Sequence, residues 1–200
     1  MSFQHDENRI FSARQKAMLF ERQKQQFLSK PDKSSAHEID KAILPLVRLI
    51  NSKKNFYTTS SCAGRIILIK ETGKKQKNIF LFKSHEKISL NEIKNALNNA
   101  KCKETIYLKH EPCIMHIACN TFNDAIALTS AARNAGWKKS GIISRKNIVE
   151  MLSTEILAAP VADNGKILVS DAYLKFLVSE ANKKLAGTRI KIKKLEKLLK

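Results

Sequence analysis

Short apolar runs and longer amphipathic stripes follow one another irregularly along these 200 residues, and that order limits the possible folds more than any other feature. Side chains repeat every two residues in a strand and every 3.6 in a helix, so spacing separates the two. Ile39, Ile43, Leu46 and Ile50 recur at three and four, which predicts an amphipathic helix that Pro45 kinks or delays. Phe56 to Thr59, Ile66 to Ile69, Ile79 to Lys83, Thr105 to Lys109 and Cys113 to Cys119 read as strands, with a helix from Leu90 to Ala100 among them. Asp124 to Ala135, closed by Gly136, is a further helix; Ser140 to Ser144, Ile148 to Ser153 and Ile156 to Val161 are further strands. An exposed helix from Arg9 to Lys30, stopped by Pro31, precedes them, and Asp171 to Lys200 reads as helix with a break at Gly187. Without a regular strand–helix alternation, the expected architecture is α+β. It is one domain over 1–200 with a mixed, irregularly ordered sheet and flanking helices, not a Rossmann sheet.

The charge balance says what such a domain meets. Lys and Arg number 37 against 18 Asp and Glu, a formal net charge of +19, so the natural partner is a polyanion. Lys supplies 29 of those cations and Arg 8, a mix suited to diffuse phosphate attraction. Residues 183–200 hold eight of the cations and one Glu, with Leu185, Ile190, Ile192, Leu195 and Leu198 between them. They read either as a solvated helix face or as a basic C-terminal helix whose Lys191 and Lys194 touch phosphates. No run reaches the roughly 18 apolar residues of a membrane span, and MSFQHDENRI lacks the apolar block of a secretion signal. Cys62, Cys102, Cys113 and Cys119 form no C-x-x-C pair. A cytoplasmic protein with reduced thiols and no membrane contact is expected.

Among the six glycines no two have G-x-G spacing, which excludes the usual dinucleotide fingerprint. Gly136 and Gly141 have Walker-like spacing, but Ile142 and Ile143 stand where Lys and Ser or Thr belong. Any adenosine cofactor is therefore held without glycine signatures.

Tyr57 to Arg65 gathers Thr and Ser hydroxyls, a thiol, a glycine and one of the few arginines. Such a segment is either a turn that satisfies its own backbone or a cradle in which N–H groups, Ser60, Ser61 and Arg65 receive a carboxylate or phosphate. Cys62 lacks a sequence-local base. Cys113, His116 and Cys119 recur every third residue, yet in a strand the cysteines face one side and His116 the other, so no metal is expected. His116 and His85 are each either ordinary half-buried or capping histidines or titrating groups of a site.

The run Y-T-T-S-S-C-A-G-R-I from Tyr57 to Ile66 resembles the hallmark of the wybutosine-synthesis methyltransferase family. Asp32-Lys33-Ser34 and Ile39-Asp40 are similar to that family's D-K-S-x-K-G-x-I-D element. F-L-F-K-S-H at Phe80 to His85, E-P-C-I-M-H at Glu111 to His116, W-K-K-S-G-I at Trp137 to Ile142 and the tail from Tyr173 to Leu185 match four more elements in order, so the resemblance covers nearly the whole chain. Ala36-His37 replaces a Lys-Gly pair, Phe80 a tryptophan and Cys113 a phenylalanine.

The resemblance implies transfer of a methyl group from S-adenosylmethionine to N4 of the tricyclic guanosine derivative at position 37 of phenylalanine tRNA, with the anticodon arm as partner. Such a displacement depends chiefly on alignment and exclusion of water. On that footing Asp40 is the first choice for accepting the proton or orienting the ring, with His116 and His85 next; its alternative is a surface carboxylate beside Lys41. Ser60, Ser61, Gly64 and Arg65 would hold the cofactor. Tyr57 and Phe80 would flank the extruded base, and Lys33, Ser34, Lys191 and Lys194 would contact the tRNA. The competing functions are a non-catalytic tRNA-binding module and a basic structural protein.

Overall fold

The computed structural model describes residues 2–30, 39–73 and 79–200, with side chains from residue 14 onward. Its helices are α1 (Ser2–Leu28), α2 (Leu44–Ser52), α3 (Leu90–Asn98), α4 (Phe122–Asn134) and α5 (Asp171–Leu199). Its strands are β1 (Phe56–Cys62), β2 (Arg65–Lys70), β3 (Phe80–Ser84), β4 (Ile106–Glu111), β5 (Ile114–Cys119), β6 (Gly141–Ser144), β7 (Ile148–Leu152), β8 (Leu157–Asp163) and β9 (Lys166–Ile167).

The α+β class is as expected, but the strands form two antiparallel sheets in place of one mixed sheet. One has the order β1-β5-β7-β6 and the other β3-β2-β4-β8-β9. The reason lies in the connections. Three times the chain leaves one sheet for the other through a short link: Ala63-Gly64 between β1 and β2, Pro112-Cys113 between β4 and β5, and residues 153–156 between β7 and β8. Links this short carry no parallel crossover, which needs about a dozen residues. The links lie side by side: Ser153 N donates to Cys113 O at 3.0 Å, and a Cβ on Gly64 would stand 3.1 Å from both Cys113 N and Glu111 O.

Each sheet has its own core. Leu46, Val47 and Ile50 of α2, Ala125, Leu128 and Ala132 of α4, and Trp137 pack against Met115, Ile117, Val149 and Met151 of the first sheet. Ile93 and Leu97 of α3 pack against Ile66, Leu68, Leu108 and Val161 of the second. One element serves both. Leu174, Leu177, Val178, Ala181 and Leu185 of α5 enter the second core, and Ile192 and Leu195 enter the first. The helix therefore runs unbroken through Gly187, contrary to the break that local propensity predicts. Glycine costs about 1 kcal/mol in a helix interior, and burial of apolar residues on both sides outweighs that. Pro45 lies in the first turn of α2, where its missing N–H leaves no bond unmade, so it delays the helix from Ile39 to Leu44. Ser89 and Thr121 start α3 and α4 with reciprocal caps to Glu92 and Asp124. On the other face of the first sheet α1 rests through Phe20 and Phe27, whose rings lie 5.3 and 5.6 Å from that of Tyr57.

Beside the sheet crossing, His110 of β4 is buried, its Nδ1 donating to Glu155 O at 2.8 Å while Nε2 has no partner among the described residues. Burial pushes its pKa below the ordinary histidine value. The folded state thus binds fewer protons there than the unfolded chain, so the contribution is present above the unfolded pKa and lost as pH falls through the depressed one. Urea unfolding midpoints are expected to fall between about pH 7.5 and pH 5.5, a window set by the ordinary histidine pKa of about 6.5, and to fall less in His110→Gln. Equal slopes for the two proteins would contradict this.

Candidate active site at the crossing of two sheets

The segment Tyr57 to Arg65 is more strand than loop. Ser60, Ser61 and Cys62 belong to β1, which leaves Ala63 and Gly64 as the corner, with Gly64 at φ 81°. Alternation puts Ser60 and Cys62 on one face and Ser61 on the other, in register with the buried Met115. One N–H of the expected cradle is already engaged: Ala63 N donates to Asp40 Oδ2 at 2.7 Å.

Asp40 stands at the entry to α2, where its backbone carbonyl accepts from Ile43 N and Leu44 N. Its carboxylate thus ties α2 to the corner. His85 Nδ1 lies 3.3 Å from the same Oδ2 and 3.2 Å from Gly64 O. Both neighbours are acceptors, so the neutral ring carries its hydrogen on Nδ1 and leaves Nε2 as an acceptor. Arg189 of α5 closes the corner from behind, donating from Nη1 to Ala63 O at 2.7 Å and from Nη2 to His85 O at 2.5 Å. The planar fork offers each carbonyl a separate nitrogen held in a fixed geometry, which a single flexible ammonium does not reproduce.

The ligating atoms of Asp40, Cys62 and His85 lie within 4.8 Å of one another, the one such set among the described residues. Oxygen, sulfur and nitrogen donors at that spacing can hold a divalent ion, though here the oxygen and nitrogen are engaged with each other and the turn. Burial pushes the Cys62 thiol up, and Asp40 adds to this against the Gly64 amide and Arg65. Cys62 is a thiol at neutral pH, not a thiolate nucleophile.

Two further groups flank the corner. Arg65 Nε donates to Glu111 Oε2 at 2.6 Å, and the guanidinium lies 5.2 Å from the Phe80 ring centroid, with Phe80 43% exposed. Across β1, β5 and β7, Ser60 Oγ is 2.7 Å from His116 Nδ1, and His116 Nε2 is 3.1 Å from Glu150 Oε2. A shallow hollow of about 340 Å³, lined by Glu86, Lys87, Leu185, Ala186 and Arg189, adjoins the back of the corner.

Asp40, His85, Gly64, Arg65 and Phe80 therefore meet at the crossing, and Ser60 and His116 lie in the next row of the sheet. Tyr57 does not join them as a free stacking face: it is 9% exposed and covered by α1. Lys191, expected to face phosphate, is turned inward to Glu155 and donates to Thr154 Oγ1 at 2.7 Å. Lys194 is exposed on α5, while Lys33 and Ser34 lie outside the described residues. Sequence reasoning gives no role to Arg189, Glu150 or Glu111, although Glu111 opens the E-P-C-I-M-H run. Arg189 has a signal, being the one arginine among the eight cations of 183–200. Glu150 has none, because its pairing with His116 exists only in the sheet register.

Residues 15–200 match the family described as Methyltransferase TYW3. The chain belongs to that family. It is 38% identical over 193 residues to the tRNA wybutosine-synthesizing protein 3 homolog of Xenopus laevis, covering 92% of this chain and 76% of that protein. It is also 38% identical over 165 residues to the tRNA(Phe) 7-((3-amino-3-carboxypropyl)-4-demethylwyosine(37)-N(4))-methyltransferase of Archaeoglobus fulgidus, covering 81% of this chain and 83% of that one. The solved structure of the PH1069 protein from Pyrococcus horikoshii superposes with a TM-score of 0.82 at 34% identity, over 90% of this chain and 94% of the other. Membership of a methyltransferase family requires a methyl donor and an acceptor. Among the described residues no helix is long and apolar enough to cross a membrane.

Proposed function

We propose that this chain transfers a methyl group from S-adenosylmethionine to N4 of the demethylwyosine derivative at position 37 of tRNA(Phe), acting on the anticodon arm in the cytoplasm. The observation that carries the reading is the corner itself. The motif that resembles the family's hallmark forms a turn held from three directions by Asp40, His85 and Arg189, with Arg65, Phe80 and Ser60 projecting around it. Rigid support of this kind is what an in-line displacement needs, since most of its acceleration comes from alignment.

Within that reading Asp40 is a positioning residue. Its carboxylate already accepts the Ala63 N–H and orients His85, whose Nε2 is left to accept a ligand N–H or O–H. The guanidinium of Arg65 receives the donor's carboxylate or a tRNA phosphate, with Gly64 allowing close approach and Phe80 offering a stacking edge. Lys194 adds to the phosphate attraction of a +19 chain.

Calorimetric titration with S-adenosylmethionine, followed by incubation with labelled donor and tRNA(Phe) lacking the N4 methyl group, tests the reading. Saturable donor binding and label transfer are expected, with no transfer to tRNA already methylated at N4. Salt-sensitive tRNA binding without donor binding would instead identify a non-catalytic module.

A further inference from the structure

The row Ser60–His116–Glu150 is built on the face of the first sheet opposite its core. Ser60 is in register with His116 and His116 with Glu150, while Met115, Ile117, Val149 and Met151 point the other way into buried packing. Chemistry fixes the direction of both hydrogen bonds. An ionised Glu150 only accepts, so His116 Nε2 carries the hydrogen and Nδ1 the lone pair; the Ser60 hydroxyl must then donate to Nδ1. Ser60 consequently turns only lone pairs toward a ligand. That polarity suits an incoming N–H and is the reverse of an anion grip.

The ion pairs of the described residues set this row apart. Six of the eight join a carboxylate to Lys or Arg, and only Asp40 and Glu150 are paired with histidine. With 37 Lys and Arg available against 18 acids, a half-buried glutamate beside an imidazole keeps a negative charge that an imidazolium can use. Asp40 is held by the Ala63 amide and His85 Nδ1 by the turn, so the Asp40–His85 pair is part of the scaffold. Ser60 lies two residues before Cys62 on the same face of β1, about 7 Å from it by strand rise.

We propose that Ser60, His116 and Glu150 form the proton outlet of the methyl transfer, an inference that rests on the function proposed above. The acceptor nitrogen attacks the methyl carbon with its lone pair, and the C–S bond pair stays on sulfur, converting the sulfonium to a thioether. The N–H proton passes to Ser60 Oγ as the hydroxyl proton moves to His116 Nδ1. Glu150 stabilises the imidazolium, which returns its extra proton to water. The net products are methylated base, thioether and one proton. Glu150 is the positioning residue of this relay, since it touches the reacting atoms only through His116.

Single-turnover methylation over a pH range, with Ser60→Ala, Glu150→Gln and Glu150→Asp, tests the relay. Ser60→Ala is expected to slow transfer about 100-fold and Glu150→Gln about 10- to 100-fold, with donor and tRNA binding changed less than about twofold. Glu150→Asp should recover part of the rate, and the acid limb of the pH–rate profile should move in Glu150→Gln. Wild-type rates and an unshifted profile in Ser60→Ala and Glu150→Gln overturn the relay while leaving the methyltransferase reading intact. A rate loss with an unshifted acid limb shows a purely structural role and also overturns it. Absence of transfer by the unmodified protein overturns both.

Discussion

Gly64→Ala is expected to lower the free energy of unfolding by about 2–4 kcal/mol, combining a left-handed backbone penalty of about 1–2 kcal/mol with overpacking. Gly64 sits at φ 81°, and its Cβ would meet Cys113 N and Glu111 O at 3.1 Å and Thr188 Cγ2 at 3.3 Å. Two of those three atoms are backbone, at the end of β4 and in the link that follows it, so no side chain can swing aside to relieve them. Gly73 is the internal control. It has φ 61°, and a Cβ there would meet nothing among the described residues within 4 Å, so Gly73→Ala should show only the backbone cost, about 1–2 kcal/mol. Urea denaturation of the two variants separates the two contributions. Equal losses would mean that the links are not packed as tightly as the distances state. Methyl transfer should also fall in Gly64→Ala and not in Gly73→Ala, because only the first displaces the corner.

How much of this is legible in the sequence depends on the range of the interaction involved. Spacing of apolar residues locates the helices and most strands, because period 2 and period 3.6 are local properties. The two-residue strand β9 escapes it, having too few residues to show a period. The division into two sheets is not legible, since it arises from which strands pair across gaps of tens of residues, as β1 does with β5 and β4 with β8. Gly187 misleads for the same reason: local propensity argues for a break, while contacts with two separate cores hold the helix through it. The site divides along the same line. Asp40, Ser60, Gly64, Arg65, His85 and His116 are marked by residue type and by likeness to a known motif. Their partners Ala63, Glu111, Glu150 and Arg189 lie up to 104 residues away along the chain. Tyr57 opens the motif and Lys191 is marked by residue type alone, yet burial under α1 and pairing with Glu155 give them other work.

Asp40→Asn is expected to slow single-turnover methyl transfer by about 100- to 1,000-fold while changing tRNA affinity less than about twofold. The asparagine oxygen still accepts the Ala63 N–H, so the turn keeps its bond and thermal stability should change little. What is lost is the negative charge 3.3 Å from His85 Nδ1, while the amide oxygen in its place and Gly64 O still accept from the ring. Asp40→Ala separates the two roles. It leaves the Ala63 N–H, on a fully buried residue, without a partner, which should cost about 1–3 kcal/mol of stability in addition to the rate. If Asn transferred methyl groups at the wild-type rate, the carboxylate would be acting only as a hydrogen-bond acceptor for the turn. Combining Asp40→Asn with Glu150→Gln should deepen the loss, since the two carboxylates support different histidines: one fixes the corner and the other empties the proton from it. Rates that multiply across the double variant would place them in separate steps of alignment and proton removal, whereas a double variant no slower than Asp40→Asn would put both histidines in one chain.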